Sequence, residues 1–123
     1  MLLLNTVAAI ITVIIETPIV MILTFDRWRD DIKVFSLWLA FIALTNIVTN
    51  VVLNTSLALI GQSITHIASA ASTTFILIAL FEIGICLVEA FLYSRFWKAR
   101  FYEFIVCSLF GNIISFSLGL ILF

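Results

Sequence analysis

Three glutamates lie inside long apolar segments of this 123-residue chain: Glu16, Glu82 and Glu89. An ionised carboxylate at hydrocarbon depth is costly unless a partner, a cation or water compensates it. All six Lys and Arg residues fall outside the apolar segments, so none of them is at hand to pair with these carboxyls. Each glutamate must therefore be protonated, hold a cation or face a water-filled cavity. We predict that these three side chains bind an ion or protons.

Amides and hydroxyls in two other apolar segments are the expected partners of the glutamates. Asn46 and Thr49 are spaced i, i+3, and Asn112 and Ser115 repeat that spacing near the end of the chain. This spacing places both polar side chains of each pair on one helix face. We therefore add these four residues to the candidate site and expect the two asparagines to form a polar layer with the glutamates.

The same residues also have a purely structural interpretation. A neutral glutamate that is hydrogen-bonded to asparagine or threonine joins neighbouring helices, at about 0.6–2 kcal/mol per bond in membranes. Against this, ionisable residues within a membrane are functional candidates by default. Both interpretations stay open from the sequence alone.

Composition requires membrane helices to position these residues. The chain is 64% hydrophobic and 11% charged, with a mean hydropathy of +1.31, whereas soluble domains carry about 25% charged residues. One span takes about 20 residues, which leaves no room for a separate soluble domain. Cytosolic enzymes, nucleic-acid-binding proteins and disulfide scaffolds are excluded.

Four apolar stretches are separated by polar breaks, at about residues 2–25, 34–54, 67–93 and 101–123. Each is long enough to cross the hydrocarbon core as a helix. Strict apolar alternation, the pattern of a membrane β-barrel, is absent. We predict an all-α polytopic membrane protein with four transmembrane helices, forming a single transmembrane domain over residues 1–123.

The two halves of the chain resemble each other. An ungapped alignment of residues 12–53 with residues 78–119 matches rare polar residues: Glu16 with Glu82, Asn46 with Asn112, and Thr49 with Ser115. This indicates two tandem helical hairpins, repeat 1 at about residues 2–54 and repeat 2 at about 67–123. An even number of spans per repeat makes the repeats parallel, related by an axis along the membrane normal. Because Glu16 and Glu82 recur across this repeat, they are favoured over Glu89 as binding residues.

The basic residues predict the orientation. All of them lie in residues 26–33 and 94–100, and the connection between the second and third spans has none. By the positive-inside bias, both basic loops are cytoplasmic and both termini lie outside the cell membrane. The tryptophans and tyrosines near these loops, including Trp38 and Tyr93, are expected at the headgroup level.

The second half carries a pattern of glutamates in one helix and Asn-x-x-Ser in the next, over Glu82, Glu89, Tyr93, Ser108, Asn112, Ser115 and Gly119. This pattern resembles a group of small four-span bacterial and archaeal integral membrane proteins with no assigned activity. The resemblance implies a four-span fold and carries over no chemistry. Glu16 also matches in position a glutamate of the small multidrug transporters, but the aromatic and glycine patterns of that family are missing here.

Two functions of different classes are compatible with these features. The first is a small cation- or proton-linked transporter or channel-like protein, in which a monovalent cation or protons bind the carboxyls and a homo-oligomer builds the pathway. The alternative is a non-transporting accessory subunit that docks a membrane protein partner through its aromatic lipid-facing surfaces.

Enzymatic activity is not expected. The chain has no HExxH motif, no serine–histidine pair and no phosphate-binding glycine loop, and its single histidine, His66, is far in sequence from the glutamates. We predict no catalytic residue, no cofactor and no nucleic-acid partner. The expected partners are the lipid bilayer and either further copies of the chain or another membrane protein. Whether a metal ion binds is left open.

Overall fold

The computed structural model describes residues 2–64 and 70–122, and every regular element in them is a helix. In chain order the helices are α1 (Leu2–Leu23), α2 (Phe25–Trp28), α3 (Ile32–Ile64), α4 (Ala70–Trp97) and α5 (Phe101–Leu122). The predicted all-α class is confirmed.

Three stretches of these helices are long and apolar enough to span a membrane: Ile32–Ile60, Ile76–Trp97 and Phe101–Leu118. The apolar stretch Ala9–Leu23 of α1 is shorter. These helices fit the membrane protein that the composition predicts.

The distribution of polar and apolar side chains is the reverse of that in a soluble protein. Large apolar side chains such as Ile22, Leu80 and Ile14 are 72%, 59% and 63% exposed. Two carboxyl and three amide side chains, types that soluble proteins mostly expose, lie inside the bundle instead. Buried are Glu16, Thr17, Thr24, Thr45, Asn46, Thr49, Asn50, Glu89, Ser94, Ser108, Asn112 and Ser115. An apolar exterior around a polar interior suits hydrocarbon as the surrounding solvent.

The four long helices form a ring. α1 packs against α3 and α5, and α4 packs against the same two helices. Thr49 is bonded to Glu89 and Asn46 to Tyr93, so residue numbers rise along α4 as they fall along α3. Neighbouring helices are thus antiparallel. The polar side chains of all four converge on the interior of this ring.

The two charged connections lie at the same end of the bundle. Arg27, beside α1, forms an ion pair with Glu103 in the first turn of α5, at 2.8 Å between Nη2 and Oε2. The α1–α3 connection contains the short helix α2, whereas the α4–α5 connection is only residues 98–100. There Lys98 adopts a left-handed backbone with φ of 52°, and the Ala99 amide donates to the Ser94 carbonyl at 2.9 Å, which closes α4.

The second predicted segment is longer than expected. The sequence predicts a helix ending near residue 54 and a connection over residues 55–66, but α3 continues without a break to Ile64. This extension has no proline, and a lone Gly61 costs a helix only about 1 kcal/mol relative to alanine. His66 lies outside the described residues.

An aromatic plug fills the bundle near the charged connections. It consists of Trp38, Tyr93, Phe96, Trp97 and Phe104, with the ring centroids of the other four 5.0–6.3 Å from that of Trp38. Trp38 and Tyr93 are 0% exposed, so they face the interior of the bundle and do not contact lipid headgroups, and their depth in the membrane stays a prediction. Their polar atoms are bonded inside the protein, with Trp38 Nε1 donating to Thr24 Oγ1 at 2.8 Å.

Candidate functional site

Glu89 lies at the centre of a closed network, formed with Thr49, Ser108 and Asn112. Its Oε2 accepts hydrogen bonds from Ser108 Oγ at 2.9 Å and Asn112 Nδ2 at 2.7 Å. Its Oε1 lies 2.9 Å from Thr49 Oγ1. The side chain is 1% exposed. Both carboxyl oxygens therefore have partners, on α3 and α5.

The proton count at Thr49 bears on the state of Glu89. The Thr49 hydroxyl has one proton, yet its oxygen is within 2.9 Å of the Thr45 carbonyl as well as of Glu89. When a threonine within a helix donates to the carbonyl four residues earlier, its oxygen is free to accept. A neutral Glu89 then donates from Oε1 to Thr49 and accepts at Oε2 from the other two side chains. Both Glu89 oxygens and the hydroxyls of Thr49 and Ser108 are then satisfied without a counter-ion.

Asn46 joins three helices beside this network. Its Oδ1 accepts from the Tyr93 hydroxyl at 3.0 Å, and its Nδ2 donates weakly to Thr17 Oγ1 at 3.4 Å. Asn46 is fully buried. It makes no hydrogen bond to a carboxyl within the described residues, so its neighbours differ from those of Asn112.

Glu16 has a different environment from Glu89. Ser115 Oγ lies 2.5 Å from Glu16 Oε1, and the side chain is 2% exposed. Its second oxygen, Oε2, is buried and has no hydrogen-bond partner in the part of the chain that the structure describes. Gly111 faces the carbon chain of Glu16, where an added Cβ would lie 3.7 Å from Glu16 Cγ. An alanine at this position would make only an ordinary van der Waals contact with Glu16, so α5 does not need a glycine to pack here.

Glu16 lines a cavity of about 210 Å³, which we call the cup. Polar residues from all four long helices line it, among them Glu16, Asn50, Asn54, Glu82, Asn112 and Ser115. Its apolar walls, including Ala9, Leu57, Ile78 and Leu120, come from the helix halves that lie away from the charged connections. The cup therefore extends from the polar layer toward the end of the bundle opposite the aromatic plug.

Glu82 belongs to the cup and not to the closed network. It is half-buried, and seven residues separate it from Glu89 on α4. At about 1.5 Å of rise per residue, that spacing is about 10 Å along the same helix face. Glu82 thus lies nearer the mouth of the cup, and Glu89 occupies the deep position that the sequence alignment assigns to Glu82.

The candidate residues separate into two groups. Glu89, Thr49 and Asn112 meet in the closed network, while Glu16, Glu82 and Ser115 lie at the cup. Asn112 borders both groups, because it also lines the cup. No three His, Cys, Asp or Glu side chains within the described residues are close enough together to hold a metal ion.

Two residues that bond to the candidates, Ser108 to Glu89 and Tyr93 to Asn46, were not themselves among the sequence-based candidates. Ser108 precedes Asn112 by four residues, and Tyr93 follows Glu89 by four, so each shares a helix face with a candidate. Extending each candidate by one helical turn would have found both.

No protein-family model, no curated protein and no solved structure matches this chain. The function is therefore argued from the geometry of the site.

Proposed function

We propose that this is a small multi-pass protein of the cell membrane that binds a monovalent cation or protons at the cup, as a cation- or proton-linked transporter or channel-like protein. The observation that carries the proposal is Glu16 Oε2, a buried carboxyl oxygen with no hydrogen-bond partner in the described residues, on a side chain that lines the cup. An unpaired polar atom in low dielectric is costly. A proton on the Glu16 carboxyl, or a cation bound beside it in the cup, would compensate its negative charge.

The other groups at the cup suit a cation. Asn50, Asn54 and Asn112 offer amide groups on its walls, and Glu82 adds a second carboxyl near the mouth. Carboxylate and amide oxygens are hard ligands that suit hard cations. No Lys or Arg is among the residues that line the cup. The electrostatic balance inside it therefore favours a positive ligand.

The topology that goes with this proposal has four spans. α1 has 22 residues, about 33 Å at 1.5 Å per residue, which matches a hydrocarbon core of about 30 Å. The Arg27–Glu103 ion pair supports placing both basic connections on one side, and the positive-inside bias makes that side cytoplasmic. The termini and the mouth of the cup then face outward.

Cross-pairing of the halves supports two tandem parallel hairpins, α1–α3 and α4–α5. In each hairpin, a carboxyl on the first helix is hydrogen-bonded to a hydroxyl on the second helix of the other hairpin. Glu16 on α1 is bonded to Ser115 on α5, and Glu89 on α4 is bonded to Thr49 on α3. In this correspondence the counterpart of Glu16 is Glu89 instead of Glu82. The ungapped alignment misses it because α2 takes up additional residues in the first connection alone.

The accessory-subunit alternative is favoured by a separate observation. The aromatic plug and the closed network fill the bundle between the cup and the charged end. Transport therefore requires the helices to rearrange, or a homo-oligomer to provide another path. A protein that only docks a partner needs neither.

Proteoliposomes containing the purified full chain test the proposal. We expect methylammonium uptake driven by a proton gradient, and at least about a tenfold loss of uptake in the Glu16→Gln, Glu82→Gln double variant. Glu103→Gln is the matched control, because Glu103 lies at the charged end and away from the cup. Full uptake by the double variant would overturn the proposal. A chain that moves no cation and co-purifies in fixed ratio with another membrane protein would favour the accessory subunit.

A further inference from the structure

A second cavity lies on the side of the bundle between α1 and α3. This groove has a volume of about 690 Å³ and is almost entirely apolar, with walls that include Ile10, Val13, Ile14, Ile47, Val51 and Ala58. Several of these side chains are more than half exposed, Ile14 at 63% and Val51 at 56%. In a membrane the groove therefore opens sideways to lipid.

The groove and the cup meet. Ala9 and Asn54 line both cavities, so only the short side chain of Ala9 on α1 and the amide of Asn54 on α3 stand between them. An apolar space open to lipid is thus adjacent to a polar space that contains two carboxyls. The junction lies in the half of the bundle that contains the mouth of the cup.

The sizes of the two spaces suggest one ligand with two ends. Sites for complete small molecules are typically about 300–1,000 Å³. The groove falls in this range, and the cup, at about 210 Å³, holds only a headgroup. Hydrocarbon gains little by leaving lipid for another apolar surface. The groove therefore serves to keep a chain in apolar surroundings while the attached head enters the cup.

Charge selects the kind of head. Glu16 and Glu82 line the cup without any Lys or Arg beside them, and the residues that line the groove are all uncharged. A phosphate or carboxylate head would meet two carboxyls, and a neutral alcohol would leave Glu16 without a charge partner. We infer that the ligand is a single-chain amphiphilic cation, with its ammonium head in the cup and its alkyl chain in the groove. This rests on the proposed function, in which the cup binds cations.

Binding to the full chain in phosphatidylcholine nanodiscs tests the inference, with dodecylammonium, dodecanol and methylammonium as probes and ligand-induced thermal stabilisation as the readout. We expect dodecylammonium to bind at least about tenfold more tightly than methylammonium, and dodecanol not to bind. Glu16→Gln should weaken both cations at least about tenfold.

A bulky substitution in the groove distinguishes binding of the ligand's alkyl chain from binding of its ammonium head. Val51→Trp should weaken dodecylammonium at least about tenfold and change methylammonium affinity less than about twofold, which also shows that the variant is folded. Ile83→Trp is the matched control, because Ile83 is 56% exposed like Val51 but lies on α4 outside the groove. It should leave both affinities unchanged. If Val51→Trp destabilises the bundle, Ala58→Leu provides the same block with a smaller side chain.

The outcomes distinguish the amphiphile site from the cation site. Methylammonium binding that depends on Glu16, together with dodecylammonium binding that is indifferent to Val51→Trp and Ala58→Leu, overturns the amphiphile and leaves the cation site. Equal binding of dodecanol and dodecylammonium also overturns it. If neither ammonium stabilises the wild-type chain and proteoliposomes show no proton-driven uptake, the proposed function fails as well.

Discussion

Glu89 and Glu16 are buried to the same degree, at 1% and 2% exposed, and each is paired with a hydroxyl on a helix of the other half of the chain. They differ in the number of their partners. Three side chains surround Glu89 and occupy both of its oxygens, whereas Glu16 has one partner and a free oxygen beside a cavity. Burial alone therefore does not separate the two glutamates, but the count of hydrogen-bond partners does, and it is this difference that the proposed function assigns to cation binding at Glu16.

The largest expected effect on stability is at Glu89. Glu89→Leu removes the centre of the closed network and strands the polar groups of three side chains, and we expect it to lower the free energy of unfolding by about 2–3 kcal/mol. Glu89→Gln should cost less than about 1 kcal/mol, because an amide both donates and accepts as the neutral acid does. Unfolding in mixed detergent micelles measures both variants. A cost of Glu89→Gln equal to that of Glu89→Leu would show that the network requires a charged carboxylate.

At Glu16, unlike Glu89, we expect substitution to affect cation binding more than stability. Glu16→Gln is expected to weaken methylammonium binding at least about tenfold, equivalent to about 1.4 kcal/mol, while changing the free energy of unfolding by less than about 1 kcal/mol. Binding titrations and unfolding of the same preparation measure the two quantities. A large loss of stability with unchanged binding would remove the contrast between the two glutamates.

The hydroxyl partners provide a smaller matched pair. Thr49→Val and Ser115→Ala each delete one bond to a carboxyl, at a cost of about 0.6–1 kcal/mol in a membrane protein. Only Ser115→Ala should also weaken cation binding, because it frees the Glu16 carboxyl to move. The loss should be about threefold in affinity, which corresponds to the energy of one such bond. Equal effects of both variants on binding would mean that the closed network and the cup act as one unit.

The smallest effect is expected at the charged end. Arg27→Gln breaks the ion pair with Glu103, in which both side chains are more than a third exposed, and should cost about 0.5 kcal/mol. This cost should shrink as salt is added to the unfolding assay. Arg29→Gln is the control, because its partners Asp26 and Asp30 are almost fully exposed. If Arg27→Gln lowered the free energy of unfolding by more than about 2 kcal/mol, the packing of the aromatic plug would depend on this ion pair.

The helical class follows from composition and from the length of the apolar stretches, because a lipid-facing chain must satisfy its backbone internally. The helix ends were less predictable. The polar residues after position 54 suggest a connection, yet α3 continues to Ile64, since threonine, serine and a lone glycine weaken a helix by at most about 1 kcal/mol each.

The relative depth of the glutamates was not predictable from the alignment of the two halves. That alignment equates Glu82 with Glu16, whereas Glu89 makes the contact that mirrors Glu16. Helix register depends on how connections and packed side chains place one helix against another. The short helix α2 and the three-residue turn at Lys98 set different registers in the two hairpins, and residue types alone do not reveal this.

The unequal helix lengths give the molecule a shape with its own consequence. α3 and α4, at 33 and 28 residues, are about 50 and 42 Å long, against about 33 Å for the 22-residue helices α1 and α5. Since all four begin or end near the charged connections, the excess length accumulates at the other end, beside the mouth of the cup. Both α3 and α4 are longer than a hydrocarbon core of about 30 Å, so in a membrane these two helices would have to tilt or extend beyond it.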